Sequence, residues 1–287
     1  MDYVSSLDAV FGEVGAVGES AAPHTSASSK AALSVQNVSL RYQTSKRGKG
    51  PLVLSDASLE IKQGEFFCLL GPSGCGKTSM LTLMAGFIRP TSGRLVLDGK
   101  AIGKPEADRG VVFQGEDALF PWLTAFDNVA FGLKMRGIGK AERLNKAEEF
   151  LDLVGLRGQG HKYPYEMSGG MKQRVQIARV LVNDPKILLM DEPFGAVDAQ
   201  TRSRLQDELV EIWQKTGKTI VFITHDIGEA VLLADRVGVM SKGPGSKIAS
   251  TIEIDMERPR YRGSPAFGVL WEKINDLIEG QEGARHE

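Results

Sequence analysis

At 287 residues the chain can hold one large domain or two small ones, and its 42% apolar and 25% charged residues are ordinary for a soluble globular protein. A net charge of −1 lacks the basic bias of a general nucleic-acid binder. No run approaches the roughly 18 apolar residues of a membrane span, and the first 20 residues carry Asp2, Asp8, Glu13 and Glu19 with no Lys or Arg, unlike a signal peptide.

Residues 1 to about 32 are rich in Ala, Ser and Gly without periodicity and are expected to form a flexible tail ahead of a domain over 33–287. Ser34 to Tyr42 reads as a strand, Thr44 to Pro51 as a loop with the basic cluster Lys46-Arg47-Gly48-Lys49, and Ala57, Leu59 and Ile61 alternate as a second strand. Glu65 to Leu70 is a short apolar run, readable as a buried strand, and Thr78 to Ala85 reads as a helix. Between them stands Gly71-Pro72-Ser73-Gly74-Cys75-Gly76-Lys77-Thr78, which fits the loop that cradles nucleotide phosphates. Its glycines let backbone N–H groups turn toward an anion, Lys77 adds a point charge, and the Thr78 hydroxyl can ligate Mg²⁺. The two cysteines, Cys68 in that strand and Cys75 in that loop, are neither a disulfide framework nor a metal spacing and fit a reducing cytoplasm. Cys75 reads either as a thiol that nucleotide protects or as a small filler.

Arg94 to Leu97 runs as a strand into the turn Asp98-Gly99, and Val111-Val112-Phe113 is another short strand. Asp117 to Lys172 is mostly helical, with Leu144, Ala147, Phe150, Leu151 and Val154 at helical spacing. Met167-Ser168-Gly169-Gly170-Met171 then opens a helix: Ser168 fits an N-cap, and the glycines expose N–H groups at a helix dipole, a second anion site. Ile187 to Met190 is a strand ending in Asp191-Glu192, where Asp191 can hold Mg²⁺ and Glu192 can face an attacking water as general base. Asp198 to Thr216 is a helix, Thr219 to Ile223 a strand, Ile227 to Ala234 a helix, and Phe267, Leu270, Trp271, Ile274, Leu277 and Ile278 share one face of a C-terminal helix at about 266–280. Alternating strands and helices imply a mainly parallel sheet with helical cover. One phosphate loop but two phosphate-binding devices suggest that each nucleotide is held between two copies.

In this order the motifs resemble the ATP-binding subunit of an ABC transporter, from about Leu33 to at least Ser241. The resemblance implies an α/β P-loop NTPase fold: an ABC-type nucleotide-binding domain with a RecA-like core, an antiparallel β subdomain and a helical subdomain over about 115–172. It implies that Gly71 to Ser79 (Ser79 extends the loop into the helix) hold the phosphates of ATP, that Tyr42 stacks on adenine, and that Thr78, Gln114 and Asp191 bind Mg²⁺. Glu192, Gln114 and His225 would serve hydrolysis, while Ser168, Gly169, Gly170 and Asp198 would complete the site across a dimer interface. Met167 and Met171 stand at the first and fifth positions of a pentapeptide the family usually writes Leu-Ser-Gly-Gly-Gln, which removes a side-chain amide at Met171.

The short distance from Gln114 to Ser168 leaves no room for the coiled coil of DNA-repair relatives, and a free-standing cassette resembles an importer subunit. Arg109-Gly110-Val111-Val112-Phe113-Gln114, Leu119-Phe120-Pro121-Trp122 and Asp127-Asn128-Val129-Ala130-Phe131-Gly132-Leu133 resemble the nitrate/sulfonate/taurine importer group, most of all its taurine subunits. That implies a homodimer at the cytoplasmic face of the cell membrane, joined to integral membrane permease subunits and served by a periplasmic or extracellular solute-binding protein, with no nucleic acid. Leu119 to Trp122 is a plausible socket for a membrane-subunit helix, although Phe120 and Trp122 fit a helical core equally well. Two other readings stay open: a non-transport ABC ATPase acting on DNA or ribosomes, and a small-molecule kinase, which leaves Ser168-Gly169-Gly170 and His225 unexplained.

Overall fold

The computed structural model describes residues 30–43, 49–115, 118–195 and 197–283. In chain order the elements are β1 (Ala31–Gln43), β2 (Lys49–Lys62), β3 (Phe66–Leu70), α1 (Lys77–Ala85), β4 (Ser92–Leu97), β5 (Lys100–Ala101) and β6 (Arg109–Val112), then α2 (Ala125–Met135), α3 (Lys140–Leu153) and α4 (Gly169–Leu181). The chain continues with β7 (Ile187–Asp191), α5 (Ala199–Thr216), β8 (Thr219–Ile223), α6 (Ile227–Leu233), β9 (Arg236–Met240), β10 (Ile248–Glu253) and α7 (Pro265–Gly283). They form two compact units: 30–115 with 184–283, and 118–183. Of the tail expected over residues 1 to about 32, 1–29 lie outside the described residues and Ala31 and Ala32 already belong to β1; Lys46 to Gly48 of the basic cluster and Asp117 also lie outside the described residues.

The larger unit holds two sheets. One is antiparallel, in the order β2-β1-β4-β5. Its β4–β5 hairpin turns through Asp98 (φ 48°) and Gly99 (φ 80°), the paired left-handed residues that a two-residue hairpin demands. The other sheet runs β10-β9-β3-β8-β7-β6, parallel except for β10. Every residue of β3, β7 and β8 is buried, which is why these strands read as unbroken apolar runs rather than alternating ones. A single core joins the two sheets: Leu33, Val35, Leu54 and Ile61 of the first pack with Phe67, Leu69, Leu189 and Val221 of the second and with Met80, Leu81, Leu83 and Met84 of α1. At about 1.5–3 kcal/mol per buried large side chain, this core is a major source of the unit's stability.

Two expectations are corrected and one open alternative is resolved. The loop expected to reach Pro51 is strand from Lys49 onward. β2 lies at the end of its sheet, where proline removes no ladder hydrogen bond, and beyond Pro51 its outer side is covered by Gly245 and Ser246, whose amides donate to Leu52 O and Val53 O. Among the described residues of α7 only Phe267 and Ile274 are buried, while Trp271 is exposed, so the docking stripe is narrower than its apolar face. Cys75 belongs to the core, so it is a filler and not an accessible thiol.

Two arginines close the end of the parallel sheet. Arg260 donates to the carbonyls of Val231, Ala234, Ile254 and Met256, and Arg258 donates to Leu233 O and Asp235. Both thereby satisfy carbonyls at the C-terminus of α6 that no helical amide can reach. Burial pulls the Arg260 guanidinium down to about 10, with the Arg258 charge acting in the same direction.

In the smaller unit, Thr124 caps α2 by accepting from Asp127 N. The buried Asn128 accepts from Phe120 N at 2.9 Å and donates to the carbonyls of Phe120, Leu123 and Thr124, which fixes the 120–124 loop. Phe120 packs on Phe131 at 4.6 Å, under the Arg179 guanidinium at 5.4 Å. Trp122 is 70% exposed. The two aromatics that the sequence left equivalent therefore differ: one is packed, the other presented.

Truncating Arg260 to Ala orphans several carbonyls at once and is expected to cost about 2–4 kcal/mol in urea-melt stability; a loss below 0.5 kcal/mol would contradict the clamp. Because burial raises both thiol pKa values, Cys68 and Cys75 should resist alkylation in the folded protein, with or without ATP, and react only after denaturation.

Candidate functional site

The phosphate loop leaves β3 at Gly71 and ends in α1. Two of its glycines are needed for different reasons. Gly76 has φ 97° and a Cβ there would lie 2.8 Å from Val53 Cγ1, so both conformation and space exclude a side chain. Gly74 (φ 74°) has open space around it and needs glycine for its backbone alone. Pro72 is half-buried, and Ser73 and Gly74 are exposed, while Cys75 points inward beneath Gly71. Gly76 caps α1 with no side-chain acceptor, leaving the first amides of the helix to an external anion.

Lys77 is buried, and its ammonium donates to Gly71 O at 2.7 Å and Pro72 O at 3.1 Å, holding the loop curled around the charge. Thr78 is exposed, and its hydroxyl bonds the carboxylate of Asp191. Ser79 shares a 3.1 Å hydrogen bond with the hydroxyl of Tyr42, whose ring is 42% exposed at the end of β1.

β7 delivers Asp191 buried at the edge of the parallel sheet. Burial raises its pKa, and the Thr78 hydroxyl and the Lys77 charge oppose that rise. Glu192 follows at φ 43°, a left-handed conformation that costs a residue with a Cβ about 1–3 kcal/mol. The turn is held because Glu192 N donates to Ile223 O at 3.0 Å and Gly195 N donates to Glu192 O at 3.1 Å. This conformation brings Glu192 Oε2 to 3.0 Å from His225 Nδ1; the His225 side chain is 66% exposed and that of Glu192 22%. Gln114 is exposed just beyond β6, with its amide against the backbone of Gly195. Asp198 caps α5 by accepting from the amides of Gln200 and Thr201, and those bonds hold its carboxyl below the usual range. Ala196 lies outside the described residues.

One group behind His225 was not singled out in the sequence. Buried Glu229 accepts from the Thr224 hydroxyl at 2.6 Å and from Gln206 Nε2 at 3.0 Å. Asp226 caps α6 by accepting from Glu229 N. The sequence signal was available: Asp226 followed three residues later by Glu229 is a helix-start pattern.

Ser168, Gly169 and Gly170 belong to the smaller unit. The Ser168 hydroxyl caps α4 by accepting from Met171 N at 3.3 Å, and Ser168 itself is exposed. Ahead of it the Tyr163 and Tyr165 rings stack at 5.6 Å. The structure thus brings Lys77, Thr78 and Asp191 together, joins Gln114, Glu192 and His225 around one turn, and sets Tyr42 on Ser79.

The donor set suits a magnesium nucleotide. Among the described residues no cluster of three or more His, Cys, Asp or Glu could cage a metal alone, and Mg²⁺ typically binds through one or two carboxylates plus substrate phosphates.

A family model described as ABC transporter matches residues 54–195. An uncharacterized ABC transporter ATP-binding protein of Methanocaldococcus jannaschii is 48% identical, over 88% of this chain and 93% of its own. A taurine import ATP-binding protein of Pelagibacter ubique is 49% identical over 86% and 95%, and a nitrate import ATP-binding protein of Synechocystis is 45% identical over 84% and 93%. Among solved structures, an ATP-binding cassette captured as a dimer in a post-hydrolysis state with ADP and Pi aligns with TM-score 0.67 at 31% identity, over 78% of this chain and 100% of that one. With relatives this similar along most of its length, the chain belongs to the ATP-binding subunits of ABC transporters, α/β cassettes that hydrolyse ATP coupled to transport.

Proposed function

We propose that this chain energises a taurine importer, with two copies closing on two ATP molecules at the cytoplasmic face of the membrane. The observation that carries the hydrolytic part is the 3.0 Å pair of Glu192 and His225 on a strained turn beside Asp191, Thr78 and Lys77. Gly71 to Ser79 hold the phosphates through backbone amides and the Lys77 ammonium, and Tyr42 offers a ring to adenine. Thr78, Asp191 and Gln114 supply the oxygens for Mg²⁺, which neutralises charge on the β- and γ-phosphates when bound. Glu192 takes the proton of the attacking water, His225 orients that carboxylate, and Gln114 lines the same space. Ser168, Gly169 and Gly170 of a second copy, with Asp198 beside the interface, complete each site, a reading supported by the dimeric relative and by the chain's single phosphate loop.

Within the 118–183 unit, exposed Trp122 is suited to meet a permease subunit. Taurine is favoured by several taurine import relatives at 42–49% identity over most of the chain. Nitrate import relatives reach 45–49%, so nitrate, or an aliphatic sulfonate delivered by its own solute-binding protein, is the second reading.

Glu192→Gln should keep ATP binding, accumulate an ATP-bound dimer and lose about 10²–10⁴-fold in turnover; normal turnover, or a monomer at saturating ATP, would remove Glu192 from the role. Lys77→Ala should abolish ATP binding with little change in melting temperature, as read by nucleotide titration. In the organism, Glu192→Gln should stop growth on taurine as sole sulfur source while sparing growth on sulfate and on nitrate as sole nitrogen source. Loss confined to nitrate or to an alkanesulfonate would reassign the solute and leave the mechanism.

A further inference from the structure

We infer that Glu229 is a positioning residue for ATP hydrolysis: with Gln206 and Thr224 it sets the turn that aims His225 at Glu192. The inference rests on the proposed role of the Glu192–His225 pair.

His225 is 66% exposed in its side chain, so packing does little to orient it, and its direction is inherited from the backbone of its turn. Both neighbours of His225 are tied to Glu229. On one side, the Thr224 hydroxyl donates to Glu229 Oε2 at 2.6 Å, and the same hydroxyl oxygen accepts from Asp226 N at 3.0 Å. On the other, Asp226 Oδ1 accepts from Glu229 N at 3.1 Å. The turn is therefore closed by a ring of hydrogen bonds that runs through the Glu229 and Asp226 carboxylates and spans the backbone of His225. Because Thr224 is 2% exposed and Glu229 6%, water cannot substitute for a lost partner.

The second carboxylate oxygen is held from a different element. Gln206 Nε2, on α5 two turns beyond the Asp198 cap, donates to Glu229 Oε1 at 3.0 Å. Gln206 is itself 3% exposed and stands beside buried Leu205 and Leu209. Burying a carboxylate is costly, and burial raises the Glu229 pKa. An apolar residue would fill the same space at no such cost, but only a side chain with two hydrogen-bonding ends can hold the Thr224 hydroxyl and the Gln206 amide together, and a carboxylate accepts from both. Misplacing a reacting group by about 1 Å can cost about 100-fold in rate, so a ring of this kind is a means of keeping His225 on Glu192.

The test is steady-state ATPase kinetics on the purified full chain. Glu229→Met keeps the volume and deletes the acceptor; Thr224→Val keeps the shape and deletes the hydroxyl. Each should lower kcat about 10–100-fold while the KM for ATP stays within about twofold. The double variant should be no slower than the worse single one, because both cut the same link. Glu229→Gln should hold within about threefold of the parent, since its amide oxygen still accepts from Thr224 and Gln206 can rotate its own amide to accept in turn. Wild-type kcat in either Glu229→Met or Thr224→Val, multiplicative losses in the double variant, or a rise in KM matching the fall in kcat would overturn the inference. If Glu229→Met does not fold, Thr224→Val decides alone. Glu192→Gln is run beside them: if it turns over normally, the underlying reading of the pair has failed, whereas its inactivity with an active Thr224→Val refutes the positioning role only.

Discussion

The parallel pairing of three buried strands is the constraint on which everything else depends. Register aligns Leu69 of β3 with Ile223 of β8, and Ile223 with Asp191 of β7. The three strands therefore end on one line, and whatever follows each of them must emerge at the same edge. The phosphate loop follows β3, the carboxylate Glu192 follows β7, and His225 follows β8 by two residues. Parallel sheets collect ligands at the carboxyl ends of their strands because connections there open away from one another, while helices cover the faces. No single motif in this chain would assemble a site without that register.

The edge is also where the chain tolerates unfavourable local structure. A glutamate in the left-handed region, a lysine ammonium enclosed by its own loop and a buried aspartate each carry a cost, and here the three fall together. Each is held by backbone: Glu192 by Ile223 O, Lys77 by Gly71 O and Pro72 O, and Asp191 by its place in the ladder. Rigid apolar strands on the inner side make such strain sustainable, since relaxing it would require breaking core packing. The result is a set of charged groups whose positions are fixed by the fold itself, an arrangement of the kind electrostatic catalysis favours.

Much of this was legible in sequence because it is local. The octapeptide, the apolar run before Asp191-Glu192 and the Ser168 cap each fit within ten residues, and β3, β7 and β8 announced themselves by lacking any polar alternation. Features set by tertiary neighbours were not legible. That Lys49 to Pro51 is strand depends on the sheet edge and on Gly245-Ser246 lying over the strand beyond Pro51. That Cys75 faces the core depends on the curl of its loop. That Phe120 packs inward while Trp122 leans on it and stays mostly exposed depends on Phe131 and on Arg179, the latter distant in sequence. Glu229 shows the mixed case: its helix-start pattern is local, but its partners Thr224 and Gln206 acquire meaning only when α5 and α6 are brought together.

The treatment of strand edges has one more consequence. β5 is two residues long, β6 four, and β2 carries Pro51 and is overlaid at Leu52 and Val53 by a returning segment. An uncovered edge is a template for adding another chain's strand, a route to aggregates that do not come apart. If two copies meet through bound nucleotide and then part, as proposed, their self-association must answer to chemistry rather than to backbone stickiness. The short β5 and β6 and the overlaid β2 offer little purchase to that slower, irreversible partnership.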